Sequence, residues 1–282
     1  MIKRLQRPTT TKIVYTDASA QGYGGYLVKR LGNVIARGTF SRIESATSST
    51  FRELLAVKYT VLSLRDELAN QAVSVNVDNF GTSRILAIGS KKPHLQSLAK
   101  DILRYCIQRN IKLIPEWVPR EKNKLADYIS KMSDTDNWSI DDNTFLRINN
   151  RFGPFTVDRF ATFENTRLQR FNSRFHSPNT EAVNCFTEDW KGDNNWLCPP
   201  VSLIGSTIRH LNQCNGSGTL LVPIWPSAYF WPILYPDGVN MAHFVKDFMT
   251  VHPFYKSTGN NRVFVGRTKF HSLALQCNFS VT

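Results

Sequence analysis

Four acidic residues lie at the ends of predicted strands or in predicted helices: Asp17, Glu53, Asp78 and Asp127. Clustered carboxylates repel one another and raise one another's pKa unless a cation lies between them. Two divalent ions in such a cluster can activate a water molecule and stabilise the leaving oxygen of a phosphodiester. Mg²⁺ suits such a site because it binds through few carboxylates, water and substrate phosphate. The pattern therefore predicts a two-metal site.

Each acid also has a simpler explanation. The sequence Thr50-Phe51-Arg52-Glu53 fits a capping box, which by itself would account for Glu53. Asp78 could be the N-cap of the next helix, and Asp127 could be a solvated surface acid. Asp17 could cap the N–H groups of a turn. Taken singly, these explanations are preferred, but the four acids together favour the metal site.

The elements that must position these acids occupy the first 133 residues. Hairpin-linked strands followed by helical crossovers predict an α/β fold with a mixed five-stranded sheet covered by helices. Asp17 and Asp78 would be neighbours if the first and fourth strands pair in parallel. We expect strands at 12–16, 23–29, 34–40, 72–77 and 112–118, a polar loop at 45–50, and helices at 50–70, 79–88, 93–109 and 124–131.

The rest of the chain has its own pattern. Residues 134–150 are polar and acidic, which predicts a linker. Residues 151–282 are expected to form a second α/β domain, after a first domain over 10–133. We expect its strands at 155–157, 195–197, 218–223, 262–265 and 273–277, and a helix at 202–214.

Composition limits the class of partner. The net charge is +13, which favours a polyanion such as nucleic acid, although a basic protein without such a partner is the alternative. Five cysteines without a CxxC pair fit reduced thiols in an intracellular protein. The basic N-terminus lacks the apolar run of a signal peptide. The apolar stretch 220–235 carries three prolines, so we expect a broken, buried segment and no membrane partner.

Over residues 10–133 the sequence resembles the RNase H domain of retroelement reverse transcriptases. The matching motifs are Tyr15-Thr16-Asp17-Ala18-Ser19, Phe51-Arg52-Glu53-Leu54-Leu55-Ala56, Val77-Asp78-Asn79 and the run from Trp117 to Asp127. Its Pro119-Arg120-Glu121 before Leu125-Ala126-Asp127 is similar to DIRS-type and related retrotransposons. The resemblance implies cleavage of the RNA strand of RNA/DNA hybrids with two Mg²⁺ or Mn²⁺ ions.

By that resemblance, Asp17 would bridge both ions, Glu53 and Asp78 would each complete one, and Asp127 would bind the ion that activates water. The expected partner is the hybrid or another nucleic acid, and a polymerase domain of the same element is a further candidate. Many family members carry a histidine in the loop before the last acid, and this chain has none there. We assign nucleic-acid contacts to Ser19, Asn79, Lys91, Lys92 and Arg120, with an ordinary solvated face as the alternative for the two lysines.

The second half resembles phage-type DNA adenine methyltransferases over about residues 152–232, a Rossmann-like class. The matching segments are Val157 to Asn165, Ala182 to Trp190 and Asn195 to Pro200. The family has Asp or Asn before Pro-Pro and an aromatic residue after it. Here the motif is Cys198-Pro199-Pro200-Val201, with Asp158 near the cofactor site by resemblance. This departure predicts a degenerate domain that transfers no methyl group, and S-adenosylmethionine is not an expected cofactor.

Three functions remain in competition. The first is a retroelement RNase H. The second is a catalytically inactive remnant that still binds nucleic acid. The third is a DNA-directed or integrase-like nuclease on a related fold, which is disfavoured by the fourth acid on the last helix.

Overall fold

The first apolar runs of the chain pair into one mixed sheet. The structure is a computed structural model that describes residues 9–134, 136–257 and 263–280. The strand order is β3-β2-β1-β4-β5, with antiparallel pairing among β1 to β3 and parallel pairing of β4 with β1 and β5. The strands are β1 Lys12–Ala18, β2 Gly22–Leu27, β3 Val34–Thr39, β4 Ala72–Val77 and β5 Lys112–Trp117. The parallel neighbourhood of β1 and β4 is as expected.

Helices cover this sheet through apolar faces. The helices are α1 Arg42–Ser45, α2 Ser49–Ser63, α3 Arg65–Leu68, α4 Phe80–Ile88, α5 Pro93–Gln108 and α6 Lys124–Ser130. One apolar face of α2 is buried, and Leu54, Val57 and Val61 lie in the core with the strand residues Val14 and Val75. The expected loop at 45–50 is wrong in part, because Ser48 caps α2 and the helix begins at Ser49. The single helix expected to residue 70 is broken at Leu64.

By its contacts the chain divides into two compact units. Among the described residues, the first unit contains those up to Met132 together with Phe175–Pro178, and the second contains those from Ser133 to Arg174 and from Asn179 onward. In the second unit a five-stranded sheet has the order β12-β15-β11-β10-β7. Its elements are β6 Trp138–Ile140, α7 Asp142–Phe152, β7 Val157–Asp158, β8 Asn172–Ser173, β9 Ala182–Val183, β10 Asn194–Leu197, α8 Ile204–Gln213, β11 Ser217–Pro223, α9 Trp231–Leu234, β12 Val245–Val251, β13 Phe254–Ser257, β14 Gly266–Arg267 and β15 Ser272–Asn278.

Residues 134–150 are not a linker. They contain β6 and most of α7, whose buried residues include Trp138, Ile140, Phe145 and Ile148. Within α7 the polar residues Asp142, Asn143, Arg147 and Asn150 are exposed, and they hid the apolar spacing of the helix. The strand expected at 262–265 is also wrong: Arg262 lies outside the described residues, 263–265 form a bend, and β14 begins at Gly266.

No helix in the described part of the chain has the length and apolar character needed to cross a membrane.

Candidate metal centre

Three carboxylates meet at one edge of the first unit's sheet. Asp17 lies near the end of β1, Glu53 lies one turn into α2, and Asp78 follows β4 directly. One carboxylate oxygen from each of the three acids lies within 4.8 Å of those from the other two. The parallel register that pairs Val14 with Val75 brings Asp17 and Asp78 to the same edge. Three of the four predicted acids are therefore together.

Glu53 does not serve the helix end. The N-cap of α2 is Ser48, whose side chain accepts a hydrogen bond from the Phe51 N–H at 3.3 Å, so the capping-box explanation is wrong. The Glu53 side chain is buried, and its Oε2 has no hydrogen-bond partner among the described residues. Burial, followed by the charges of Asp17 and Asp78, raises the pKa of Glu53 to about 9. An unpartnered, buried carboxylate oxygen beside two further acids fits a cation ligand.

Asp78 does not cap the next helix either. The cap of α4 is Asn79, whose Oδ1 accepts from the Thr82 N–H at 2.9 Å. The carboxyl group of Asp78 is therefore available to the acid cluster. Burial raises its pKa, the positive charge of Arg120 lowers it in part, and the negative charge of Asp127 raises it further. The indole N–H of Trp117 donates to the Asp78 carbonyl at 3.0 Å, which fixes the backbone at the end of β4.

Asp17 is buried at the centre of this arrangement, with 4% of its surface exposed. Burial raises its pKa to about 6, and a hydrogen bond from Ser130 lowers it in part. The charges of Asp78 and Asp127 raise it further. Since charge is disfavoured in all three acids, a divalent cation placed among them would remove the repulsion that raises their pKa values.

Asp127 lies outside the group of three but is close enough to raise the pKa of Asp17 and Asp78. Lys131 Nζ lies 2.7 Å from both of its carboxylate oxygens, and Arg120 lies 3.6 Å from one of them. Asp127 therefore has both the basic neighbours of a surface ion pair and the acidic neighbours of the cluster.

Residues that carry no charge fix α6 against the sheet. Ser130 Oγ donates to Asp17 Oδ2 at 3.0 Å, and the fully buried Asn123 donates to the Thr16 carbonyl at 3.0 Å. Sequence reasoning missed both. Their spacing, four residues before and three after Asp127, places all three on one side of a helix, and this spacing is the signal that could have found them.

The glycines after β1 let α6 come close. A Cβ on Gly24 would lie 2.2 Å from the Ser130 N atom and 2.7 Å from the Ala126 carbonyl oxygen, distances that real Cβ atoms do not show. The absence of a side chain at Gly24 is therefore needed for the placement of the helix that carries Asp127 and Ser130.

The predicted nucleic-acid contacts lie at separate places. Ser19 Oγ donates to the Ser130 carbonyl at 2.9 Å, and Asn79 caps α4, so both have structural duties. Lys91 and Lys92 are exposed in the turn between α4 and α5. Arg120 is largely exposed beside Asp127.

The residues predicted to form a degenerate methyltransferase motif lie in the second unit. Asp158 ends β7 and Cys198 follows β10, and both are buried. Asp158 accepts hydrogen bonds from the backbone N–H groups of Phe160 and Arg167, and its pKa is raised to about 7 by burial. Burial likewise raises the pKa of the Cys198 thiol well above its ordinary value. Pro199, Pro200 and Val201 are buried or half-buried around this turn.

The space beside Asp158 and Cys198 is small. It is a cavity of about 10 Å³, lined among others by Trp138, Arg167 and Trp196. That volume holds about one water molecule. The residues at this place do not fit a nucleoside cofactor or an extruded base.

Comparisons with known proteins give a match for each half. A family model for DNA N-6-adenine-methyltransferase (Dam) matches residues 129–237, which include the stretch expected to be a linker. No curated protein matches the chain.

Among solved structures, the N-terminal part is similar to LC11-RNase H1 in complex with RNA/DNA hybrid, at 23% identity and a TM-score of 0.37, over 42% of this chain and 93% of that one. It is also similar to RNase H1 from the halophilic archaeon Halobacterium salinarum, at 19% identity and a TM-score of 0.35, over 42% and 93%. A third is the foamy viral protease-reverse transcriptase in complex with RNA/DNA hybrid, at 13% identity and a TM-score of 0.33, over 43% of this chain and 19% of that one.

Proposed function

We propose that the first unit is a metal-dependent nuclease that hydrolyses the RNA strand of RNA/DNA hybrids. The observation that carries this proposal is the convergence of Asp17, Glu53 and Asp78 within 4.8 Å, with one buried oxygen of Glu53 lacking a partner. A structural role explains a buried acid only when its oxygens are hydrogen-bonded.

The residues divide the work of the site. Asp17, Glu53 and Asp78 would hold two divalent cations, Mg²⁺ or Mn²⁺, and Asp127 would join them from α6. When bound, these ions would supply an activated water and a counter-charge for the leaving oxygen. Ser130 orients the Asp17 carboxylate through its 3.0 Å hydrogen bond, and Trp117 holds the backbone at Asp78.

Substrate binding would depend on the positive charge of the chain. The net charge of +13 attracts a polyanion, and Lys91 and Lys92 present two exposed ammonium groups in one turn. We propose that these lysines contact phosphates, and that Arg120, at the rim of the acid cluster, contacts the strand to be cut. Ser19 and Asn79 would contribute to substrate binding indirectly, because their hydrogen bonds hold the local backbone in place.

A second candidate is a catalytically inactive protein that binds nucleic acid. Lys131 favours it, because its ammonium group already neutralises the Asp127 carboxylate at 2.7 Å. The loop at 118–123 also lacks the histidine that many RNase H domains of this kind carry.

We also propose that the chain derives from a DIRS-type or related retroelement, which its motif Pro119-Arg120-Glu121 supports. In that case the second unit is a methyltransferase-like domain that has lost catalysis, since Cys198 and Val201 replace the polar and aromatic residues of the family motif.

The test of the proposed function is a comparison of substrates. The purified 282-residue chain is incubated with Mg²⁺ and end-labelled RNA/DNA, RNA/RNA and DNA/DNA duplexes, each labelled on either strand. We expect cleavage of the RNA strand of RNA/DNA alone, and none in excess EDTA. Cleavage of DNA/DNA would favour a DNA-directed nuclease, and binding to all duplexes without cleavage would favour the inactive protein.

A further inference from the structure

The first unit is discontinuous in sequence. Four residues from much later in the chain, Phe175–Pro178, belong to it by their contacts. Neither the RNase H-like pattern, which ends near residue 133, nor the methyltransferase-like pattern gives these residues a role.

The backbone of His176 is bonded on both sides. Its N–H donates to Ser63 Oγ at 2.8 Å, and its carbonyl accepts from the Tyr23 hydroxyl at 2.8 Å. Tyr23 Oη and Ser63 Oγ lie 3.1 Å apart, so the three groups form a closed network between β2 and the end of α2. Tyr23 has no exposed surface, and a buried hydroxyl that loses its acceptor is costly.

Side chains of the same segment complete the core. The His176 ring lies 4.4 Å from the ring of Tyr59, and Phe175 packs against the main apolar cluster of the unit. At Gly38 a Cβ would lie 3.2 Å from the His176 carbonyl oxygen, so β3 also passes close to the segment. These contacts join β2, β3 and α2, the elements next to the acid cluster.

We propose that Phe175–Pro178 is a required structural element of the nuclease-like unit, although it lies about forty residues beyond the RNase H-like pattern in sequence. This proposal does not rest on the proposed nuclease activity.

The electrostatics of His176 agree with a buried, neutral ring. Burial, followed by Lys58, lowers its pKa from 6.5 to about 4, while Glu44 acts in the opposite direction. The unfolded chain therefore binds a proton that the folded unit rejects, and this contribution to stability is lost as pH falls below about 6.5.

The experiment is hydrogen exchange of the 282-residue chain, read by mass spectrometry for peptides of each unit. In the native chain we expect the His176 amide to be protected. His176→Ala keeps the backbone hydrogen bonds of this residue but removes the ring that packs against Tyr59, so we expect exchange to rise at least tenfold in β2 and the end of α2, with β10 and β11 unchanged. The matched control is His243→Ala, an exposed histidine, which should change neither region.

Two outcomes would overturn the proposal. One is an unprotected His176 amide in the native chain, a result that does not depend on whether any variant folds. The other is unchanged exchange of β2 and α2 in His176→Ala, or an equal rise in both units.

A pH comparison supplies a second readout. From pH 7.5 to pH 5 the titration of His176 should lower the folded-to-unfolded ratio of the native first unit by about thirtyfold more than that of His176→Phe, which keeps an aromatic ring against Tyr59. The same pH dependence in both proteins would contradict a buried, docked His176.

Discussion

Burial and hydrogen bonding act in opposite directions on the carboxyl group of Asp17. Burial raises its pKa to about 6, whereas the hydrogen bond from Ser130 favours the ionised form. Because Ser130 is the last residue of α6, its bond to Asp17 connects the strand that carries one acid to the helix that carries Asp127. Ser130 is a positioning residue for the carboxylate at the centre of the site.

Replacing Ser130 by Ala should weaken metal binding. A hydrogen bond to a charged group contributes about 1.5–3 kcal/mol, so the Mg²⁺ concentration for half-saturation should rise roughly tenfold or more. The rate at saturating Mg²⁺ should change little, and Ser130→Thr, which keeps the hydroxyl, should behave like the native chain. Calorimetric Mg²⁺ titration and cleavage assays check this. Equal metal affinity in Ser130→Ala and the native protein would show that the hydroxyl does not position Asp17.

At the scale of elements, α6 packs so closely on β2 that the residue of β2 beneath it, Gly24, has no room for a side chain. The helix carries Asp127 and Ser130, and its approach depends on the absence of a Cβ at Gly24. The position of Asp127 therefore depends on a residue of β2 that is far from it in sequence.

Gly24→Ala should destabilise the first unit and displace α6. Overpacking against well-packed groups costs about 1–3 kcal/mol, and here the clash is with backbone atoms at 2.2 and 2.7 Å. Urea unfolding followed by the signals of the first unit measures the loss. Gly205→Ala on α8 is the matched control, because its Cβ would come no closer than 3.3 Å to the Tyr229 ring. A Gly24→Ala protein as stable as the control would mean that α6 is not in close contact with β2.

Much of the first unit could be predicted because its strands and helices have strong periodicity. The apolar face of α2 follows from the local spacing of apolar residues. The parallel pairing of β1 and β4 follows from the helical crossover between them. Helix N-caps were less predictable. Ser48 and Thr50 are both suitable N-caps for α2, as Asp78 and Asn79 are for α4, and only the course of the backbone shows which residue is used.

Contacts between distant residues could not be predicted. Nothing local in Phe175–Pro178 indicates that His176 would meet Tyr23, and Ser130 resembles any polar helix residue until β1 lies beside it. In the second unit, Trp138 and Ile140 lie in a polar stretch, and β12 and β13 gave no signal that we interpreted as strands.

For the whole molecule, the positive charge predicts binding that depends on salt. For each phosphate contact, the logarithm of affinity should fall about 0.9 units per logarithmic unit of salt concentration. Replacing Lys91 and Lys92 by Ala should reduce that slope by up to about 1.8, because two contacts are lost. Replacing Lys191 and Lys269 in the second unit removes the same charge and is the control. Equal slopes in the two double variants would exclude the turn between α4 and α5 as a contact surface.

The second unit should not methylate DNA. The cavity beside Asp158 and Cys198 holds about one water, and a buried thiol is a weak acceptor for an adenine amino group. Incubation of the full chain with tritiated S-adenosylmethionine and single- or double-stranded DNA should give no label in adenine above a control without protein. Incorporation of label would contradict the assignment of the second unit as non-catalytic.

The most direct test of the central claim is cleavage of an RNA/DNA hybrid by Asp17→Asn beside the native chain. Asn keeps the shape of the side chain and can still accept from Ser130, but it lacks the charge that holds a divalent cation. We expect native folding, as judged by unfolding in urea, and at least a hundredfold slower cleavage, since metal-ion catalysis contributes several kcal/mol. Undiminished cleavage by folded Asp17→Asn in Mg²⁺ would contradict the assignment of Asp17, Glu53 and Asp78 as the metal centre of a nuclease.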